Sequence, residues 1–281
     1  MAREIAERRL ERVRALLSGW SLGPEGQEAA QIEALLAPLF AEGWLPDGHE
    51  SVDAVLLGEQ YHLGGEDDTR RMAELLQLSP DDRVVDFACY IGGPARQLAR
   101  DYGCRVVGVD LSPIHIVVAE RLTELTGLGG QVSFVCASAD HVPLKRSSFT
   151  VAWSQGTMPR DLSWLMEMDR MLAPGGRLGF TGLIRREKTE QEGLLSREEM
   201  AHRVEAFGYD VAHAEDISTL DLRHGWMPML EKLWRHENDY VKLFGHEWVR
   251  GARHSIEADI AEWTAGRMGN GRVVAVKRES G

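Results

Sequence analysis

Short apolar runs alternate with amphipathic stretches along the middle of the chain, between about residues 69 and 182. The apolar runs are continuous, which is typical of strands that are buried on both faces of a sheet. They read RVVDFA, RVVGVDL, VSFVCAS, FTVAWS and RLGFTGL. The stretches between them repeat apolar residues at helical spacing, as in GPARQLARDYG, where Gly103 ends the helix. This order predicts an α/β fold with a doubly wound, mostly parallel sheet covered by helices on both faces.

Helical patterns flank this core on both sides. Residues 1–68 are predicted to form an N-terminal helical cap, and residues 69–185 form the α/β core. Residues 186–281 form a C-terminal part in which Ser196 and Glu199 have the spacing of a capping box.

An aromatic and aliphatic stripe follows in this C-terminal part. The stripe predicts one or two helices between residue 226 and about residue 265, within a helical lid over about 222–265. The stripe consists of Trp226, Leu230, Trp234, Val241, Phe244 and Trp248. The final GRVVAVKR, after GRMGNG, is predicted to be a closing strand that follows a loop.

The net charge limits the kinds of ligand that the sequence allows, and the cysteines indicate the kind of compartment. The 281 residues carry 32 Lys and Arg against 44 Asp and Glu, a formal charge of -12, which disfavours nucleic acid or an anionic membrane as the ligand. Cys89, Cys104 and Cys136 are widely separated beside apolar runs, which predicts buried thiols in a reducing compartment. Neither a signal peptide nor a membrane span is evident, so a cytoplasmic protein acting on a small molecule is expected, with homo-oligomers left open.

Acidic and small residues end three of the predicted strands. Asp86 to Gly93 follow the first strand, Asp110 ends the second, and CASAD at 136–140 ends the third. Because ligands of open parallel sheets bind beyond the carboxyl ends of the strands, these segments outline a pocket for an adenosine-containing ligand. The loop has glycine only at Gly92 and Gly93, so it lacks the three-glycine fingerprint that admits a dinucleotide pyrophosphate.

Four of these segments, in order, carry a family resemblance. VVDFACYIGGPARQLA, VVGVDLS, CASADHVPLKRSSFTVAWSQ and MDRMLAPGGRLGFTG resemble the successive motifs of the class I S-adenosylmethionine-dependent methyltransferases. GEQYHLGGEDDTRRMAELL, IGGPAR and WSQGTM are similar to the small-molecule branch, which includes sarcosine and dimethylglycine methyltransferases and polyketide and terpenoid methyltransferases. The resemblance implies a Rossmann-like, seven-stranded sheet and methyl transfer from S-adenosylmethionine to a small molecule, with S-adenosylhomocysteine as product.

The same resemblance implies which residues contact the cofactor. Tyr61 to Gly65 would cover its methionine part, Asp86 and Gly92 would lie along that part, and Asp110 with Leu111 would hold the ribose and flank adenine. The full set of implied cofactor residues is Tyr61, Gly64, Gly65, Asp86, Ala88, Cys89, Gly92, Asp110, Leu111, Ser138, Ala139 and Ser154.

Three positions depart from the family pattern. Ala88 and Tyr90 stand where the first motif has glycine, and Ser138 stands where an aspartate usually accepts a hydrogen bond from adenine. A residue with a Cβ atom disfavours positive φ, and the Tyr90 ring needs space. The ring has three placements: packed into the protein, facing the sulfonium or acceptor as a wall, or occluding the cofactor site.

Methyl transfer from a sulfonium depends more on alignment of the two reactants than on a catalytic dyad. The sequence has no pair of residues at a metal-ligand spacing, so no metal is expected. A carbon or oxygen acceptor would need a general base, for which His62 is the candidate. Candidate acceptor-binding residues are Tyr90, Gln155, Met158, His224 and Trp226. The acceptor atom stays open, and so does an alternative in which the fold is kept without methyl transfer, as a cyclase-like catalyst or a cofactor-binding protein.

Overall fold

The computed structural model describes residues 52–186 and 193–279. The predicted N-terminal cap lies outside the described residues up to residue 51. The helices are α1 (Val52–Leu57), α2 (Gly65–Leu75), α3 (Gly93–Tyr102), α4 (Pro113–Leu125), α5 (Leu165–Met171), α6 (Arg197–Ala206), α7 (Ser218–Asp221), α8 (Met227–Arg235), α9 (Glu237–Phe244) and α10 (His246–Thr264). The strands are β1 (Arg83–Phe87), β2 (Arg105–Asp110), β3 (Val132–Cys136), β4 (Phe149–Ser154), β5 (Leu172–Arg185), β6 (Tyr209–Asp216) and β7 (Met268–Lys277). A π-helical turn, Leu222–Trp226, joins α7 to α8.

The strands form one seven-stranded sheet in the order β3-β2-β1-β4-β5-β7-β6. The neighbouring strands from β3 to β5 pair in parallel, and β7 pairs antiparallel with both β5 and β6. The predicted α/β class and the mostly parallel, seven-stranded sheet are confirmed. Because β1 lies beside β2 and β4, its carboxyl end is central to the edge where the connecting loops diverge.

Local sequence explains how the helices near this edge begin. Gly92 takes a left-handed conformation with φ 78° as the N-cap of α3, and Pro94 follows in the first turn, where it needs no amide donor. The predicted capping box is confirmed at α6, where the Ser196 side chain accepts from the backbone N–H of Glu199 and the Glu199 carboxylate accepts from the backbone N–H of Ser196.

The helical tail differs from the prediction of one or two helices: three helices follow the π turn. α8 ends at His236, whose φ of -113° leaves the helical region, and Gly245 separates α9 from α10 with φ 88°. These breaks change the direction of the packed face. Trp234 lies before both breaks, and the predicted stripe is wrong there because this residue is off the packed face of α8: it is 56% exposed, whereas Leu230 and Leu233 of the same helix are 7% and 1% exposed.

Two further expectations are corrected by position in the sheet. Cys89 and Cys104 are buried as predicted, but Cys136 is exposed because it ends the edge strand β3. The GRMGNG segment also belongs partly to β7, which begins at Met268. Its glycines serve close packing, since a Cβ atom on Gly269 would lie 1.7 Å from the Ser218 Oγ.

An apolar cluster joins the tail helices to the loop after β1. Ile91 of that loop is fully buried in the same cluster as residues of α1, α4, α8 and α10. The helical tail therefore packs directly behind the loop that follows β1. Among the described residues, no helix is both long and apolar enough to cross a bilayer.

Candidate functional site

The loop after β1 alternates residues in the left-handed region. Ala88, Tyr90 and Gly92 have φ of 56°, 51° and 78°. A left-handed conformation costs a residue with a Cβ atom about 1–2 kcal/mol, so Ala88 and Tyr90 hold strain that glycine would not. The loop therefore keeps the backbone path of a glycine-rich turn at positions where two glycines are replaced.

Two carboxyl groups lie at the adjacent ends of β1 and β2. Asp86 is 3% exposed, and its Oδ2 atom has no hydrogen-bond partner among the described residues. Burial, and secondarily the negative charge of Asp110, raises the pKa of Asp86 well above its ordinary value. A buried carboxyl group without a donor is costly, so this position suits a ligand that supplies a positive charge or an N–H donor.

Asp110 organises the backbone around it. Its Oδ2 accepts from the Tyr90 backbone N–H at 3.0 Å, and its Oδ1 accepts from the Ser112 backbone N–H at 2.9 Å. The His115 Nδ1 lies 3.0 Å from the same Oδ1. Asp110 thus ties the strained loop to the start of α4. Leu111, beside it, is 73% exposed and flanks this edge of the sheet.

The Tyr90 ring lies between two other rings. Its centroid is 4.5 Å from that of Tyr61 in a stacked arrangement, and 4.7 Å from that of His115 edge-on. The ring is partly buried against the cluster that contains Ile91. Tyr90 thereby connects the Tyr61–Gly65 segment, predicted to cover the methionine part of a cofactor, to the loop after β1.

Small residues are required where α3 meets the preceding chain. A Cβ atom on Gly93 would lie 2.2 Å from the carbonyl oxygen of Glu59, and one on Gly92 would lie 2.6 Å from the Phe134 ring. The Arg96 guanidinium donates to the Glu59 carboxylate at 2.5 Å, and both side chains are buried. The segment before α2 is therefore clamped directly onto the start of α3.

His62 is enclosed by the protein. Its Nδ1 lies 3.0 Å from the Leu63 carbonyl oxygen, and its Nε2 lies 3.1 Å from both Gln60 Oε1 and Thr69 Oγ1. Burial is the largest influence on its pKa and lowers it, against the opposing effect of the Asp68 carboxylate. Burial thus favours the neutral imidazole, whose single N–H can donate to only one of the carbonyl oxygens of Leu63 and Gln60.

Gln155 belongs to the same buried network. Thr69 donates to its Oε1 at 2.9 Å, and its Nε2 donates to Asp68 at 2.8 Å. Arg272 donates to the other Asp68 oxygen and also to Glu215. A chain of polar contacts therefore runs from His62 to β6 and β7.

The structure places the remaining predicted residues in several environments. Cys89 and Met158 are buried, and Ser154 is buried with its Oγ 3.1 Å from Thr157 Oγ1. Ser138 and Ala139 are partly buried at the end of β3, where Ser138 donates to Asp140 at 3.3 Å. The cofactor and acceptor roles of all these residues stay predictions.

Two glycines and two tail residues complete the predicted set. Gly64 and Gly65 have positive φ at the start of α2. Trp226 packs edge-on against Trp263 in the tail cluster, and His224 is exposed beside it on the π turn.

Sequence reasoning missed a group of buried polar residues near the start of α2. The sequence pattern predicts the acidic first turn of a helix around Asp68, a loop at Asn270 and the closing strand at Arg272. In the fold Asn270 donates to Asp221 at 2.8 Å, and Arg272 is 1% exposed. A charged residue inside an apolar strand, as Arg272 is in GRVVAV, was the signal available.

Comparisons with known proteins show what this chain is similar to. Residues 84–176 match the family described as methyltransferase domain. The glycine/sarcosine/dimethylglycine N-methyltransferase of Actinopolyspora halophila is 26% identical over 232 residues, which cover 77% of this chain and 40% of that protein. Methyltransferase GfsG of Streptomyces halstedii is 35% identical over 161 residues, which cover 55% of each. The chain thus spans about half the length of the curated relatives it matches.

Solved structures agree on the fold. The cyclase SpnF superposes with a TM-score of 0.65 at 24% identity, over 93% of this chain and 99% of that one. Other structures with this fold are methyltransferases crystallised with S-adenosylmethionine or S-adenosylhomocysteine. Structural similarity at this sequence identity shows the fold alone, and the family match covers part of the chain. Residues 84–176 therefore match a methyltransferase domain, and the chain has the Rossmann-like fold of the methyltransferases that superpose on it.

Proposed function

We propose that this protein transfers a methyl group from S-adenosylmethionine to a small-molecule acceptor. The observation that carries the proposal is the buried Asp86 carboxyl group, which lacks a donor among the described residues and lies beside Asp110 within the matched methyltransferase domain. A ligand with neither a positive charge nor a hydrogen-bond donor would leave Asp86 unsatisfied. A ligand with an ammonium group and ribose hydroxyls gives both carboxyl groups a partner.

The residues present fit such a cofactor. Asp86 would hold the methionine ammonium group, Asp110 the ribose hydroxyls, and Ser138 with Ala139 the adenine edge. Tyr61 and its neighbours as far as Gly65 would cover the methionine part. When bound, the cofactor supplies a methyl carbon that is already activated by a positively charged sulfur.

The chain's own contribution is alignment and exclusion of water. Orientation of two reactants supplies up to roughly 7–11 kcal/mol of rate acceleration in favourable systems. Tyr90 and Tyr61, stacked at 4.5 Å, form an aromatic surface next to the Asp86 end of the site. The tail helices packed behind Ile91 keep that surface in place.

The role of His62 as a proton acceptor stays a prediction, and it would require a change in the hydrogen bonds of the imidazole. Both of its ring nitrogens already have protein partners, so serving an acceptor requires exchange of one of these hydrogen bonds. An amine acceptor that arrives unprotonated needs no such exchange. Gln155, Met158, His224 and Trp226 remain the proposed acceptor-binding residues.

Isothermal titration with S-adenosylmethionine and S-adenosylhomocysteine tests the proposal. We expect saturable binding of both, and Asp86→Asn should weaken it at least tenfold because the amide carries no charge for the ammonium group. An absence of binding by the wild type at millimolar concentration would refute the proposal. Binding without methylation across an acceptor panel would favour the alternative, a cyclase-like catalyst or a cofactor-binding protein.

We also propose a cytoplasmic location and a small-molecule partner in place of nucleic acid or a membrane. The formal charge of -12 supports the part about partners, because nucleic acid and anionic membranes require clustered positive charge. The location rests on the cysteines, which are typical of a reducing compartment. Homo-oligomers remain compatible with this proposal.

A further inference from the structure

A cavity of about 330 Å³ lies between the start of α2, the π turn and β7. It is lined by Gly64, Asp67, Asp68, Arg71, Leu220, Asp221, His224 and Arg272. Neither Asp86 nor Asp110 lines it, so it is separate from the carboxyl pair described above. Gly64 connects the two places, because it also belongs to the segment predicted to cover the cofactor. The volume is at the small end of the range for ligand pockets.

The buried side of the cavity carries an excess of carboxyl groups. Asp221 and Arg272 are 2% and 1% exposed. The terminal nitrogens of Arg272 donate to Asp68 and to Glu215, so its single positive charge is shared by two carboxylates. Asp221 is a third acid, and it accepts from the neutral Asn270 amide at 2.8 Å. A cation placed in the cavity would therefore restore the charge balance of this region.

The titration of Asp221 is consistent with this imbalance. Burial raises its pKa to about 7, the Asn270 hydrogen bond acts in the opposite direction, and the Asp68 charge raises it further. A carboxyl group in this state is ready to ionise when a positive charge arrives beside it.

Arg272, which lines the cavity, also carries an unused donor. The Nε atom of Arg272 is buried and has no acceptor among the described residues. An N–H group in this state costs free energy until it meets an oxygen. A ligand that carries an acceptor oxygen close to its positive charge would satisfy Arg272 and Asp221 together.

Part of the cavity wall is formed by the π-helical turn. Asp221 and His224 both line the cavity from the junction of α7 and the π turn. Such turns occur mostly as single insertions and frequently at functional sites. Gly225 allows this turn to approach the Tyr61–Gly65 segment, since a Cβ atom there would lie 2.7 Å from the Leu63 side chain.

We propose that this cavity binds a small cationic amine that carries a hydroxyl or carboxylate oxygen near its nitrogen. The positive nitrogen lies against Asp221, and the oxygen accepts from Arg272 Nε. The proposal that the cavity binds this ligand depends only on the cavity. The further proposal that the ligand is the acceptor of methyl transfer rests on the proposed function.

Choline and its neutral carbon analogue, 3,3-dimethyl-1-butanol, test the proposal by titration of the full chain without cofactor. The two probes have the same shape and differ in charge, so we expect choline to bind at least tenfold more tightly. Asp221→Asn should remove that preference, because it removes the charge and keeps the shape. Asp210→Asn is the matched control: Asp210 lies outside the cavity lining, its side chain is 72% exposed and it pairs with Arg278, so choline affinity should change less than about twofold.

Affinity should also rise with pH through about 7, because only ionised Asp221 attracts the cation. Choline itself does not titrate, so the protein is the source of the change. The other titratable or charged groups around Asp221 are Asp67, Asp68 and Arg71 on α2, His224 on the π turn, Arg272 on β7, and Glu215 with His213 on β6. Loss of the pH dependence in Asp221→Asn assigns it to that carboxyl group.

Equal binding of the charged and neutral probes by the wild type would overturn the proposal, and so would unchanged choline binding by a folded Asp221→Asn. The probe comparison needs no variant, so it stands even if Asp221→Asn fails to fold. Titration of the same protein with S-adenosylhomocysteine separates the two proposals. Loss of that binding with choline binding intact contradicts the proposed function alone.

Discussion

At the scale of single residues, Tyr90 shows how a side chain compensates for an unfavourable backbone. Its φ of 51° is disfavoured for a residue with a Cβ atom, yet its ring stacks on Tyr61 and meets His115 edge-on. Aromatic pairs contribute about 0.5–1.5 kcal/mol each beyond the burial of their surface. The contacts of the ring therefore offset a backbone strain of about the same size.

Comparing Tyr90→Gly with Tyr90→Ala isolates this strain. Both variants lose the ring, but only glycine relaxes the positive φ, so Tyr90→Gly should be more stable than Tyr90→Ala by about 1 kcal/mol in urea unfolding. The same pair of substitutions at Arg121, exposed in the interior of α4, should give the opposite order. An alanine variant as stable as the glycine variant at Tyr90 would contradict the strained conformation.

Tyr90→Gly also distinguishes the three placements of the ring in the proposed function. Because the ring packs against Tyr61 and His115, we expect reduced stability with little change in S-adenosylhomocysteine affinity. Tighter binding would instead indicate occlusion, and lost turnover with intact binding would indicate a wall of the acceptor site.

At the scale of elements, the start of α3 is fitted to the segment before α2. Gly93 begins α3, and the space for a Cβ atom there is taken by the Glu59 carbonyl oxygen at 2.2 Å. The buried ion pair between Arg96 and Glu59 joins the same two elements. The start of α3 is therefore held directly against the covering segment.

Gly93→Ala should separate these elements. The added methyl group forces α3 away from Glu59, and overpacking of this kind typically costs 1–3 kcal/mol. We expect that loss in urea unfolding, together with at least tenfold weaker S-adenosylhomocysteine binding. Gly129→Ala is the control: a Cβ atom there meets nothing within 4 Å, so stability should stay within about 0.5 kcal/mol. Equal behaviour of the two variants would argue against the close fit.

At the scale of the whole molecule, buried charges connect distant parts of the chain. Arg272 on β7 bonds to Asp68 on α2 and to Glu215 on β6, and Asp221 on α7 bonds to Asn270 on β7. Removing one member of a buried ion pair leaves the others uncompensated, which makes such groups sensitive to changes anywhere in the set. Stability should therefore depend on the ionisation of this region.

The pH dependence of stability follows from Asp221. An aspartate ionises near 3.8 in the unfolded chain, and Asp221 does so at about 7 in the folded one, so between these values the folded state binds one extra proton. Its contribution to stability therefore falls as the pH rises from about 4 to about 7, and it is constant above. Asp221→Asn should gain stability over the wild type between pH 5 and pH 8, by at most about 3 kcal/mol.

Urea unfolding of both proteins at the two pH values measures this difference. Asp86 has a raised pKa as well, but it is present in both proteins and cancels in the comparison. A difference that does not change with pH would mean that Asp221 does not titrate between pH 5 and pH 8 in the folded protein, which contradicts this prediction.

The helical tail and the buried polar network show which parts of the structure cannot be predicted from local sequence patterns. The strands of the core, Asp86 and Asp110 at their ends, and the capping box at Ser196 follow from patterns of a few residues, and the structure contains them. The division of the tail into three helices does not follow from such patterns, because the breaks at His236 and Gly245 depend on which face of each helix packs against the core. The strand character of GRMGNG depends on its pairing with β5, which lies far away in the chain.

The sequence alone determined the order of strands and helices, the acids at the strand ends and the family motifs, because these depend on periodicity and on residues that are near neighbours along the chain. Only the tertiary structure decided that His62 is enclosed, that Tyr90 stacks on Tyr61, and that Asp68, Asp221 and Arg272 meet at one cavity. Asp68 and Arg272 alone lie 204 positions apart, and the contacts at the cavity follow from how α2, the π turn and β7 pack together. No local pattern encodes that packing, and the chemistry of the cavity depends on it.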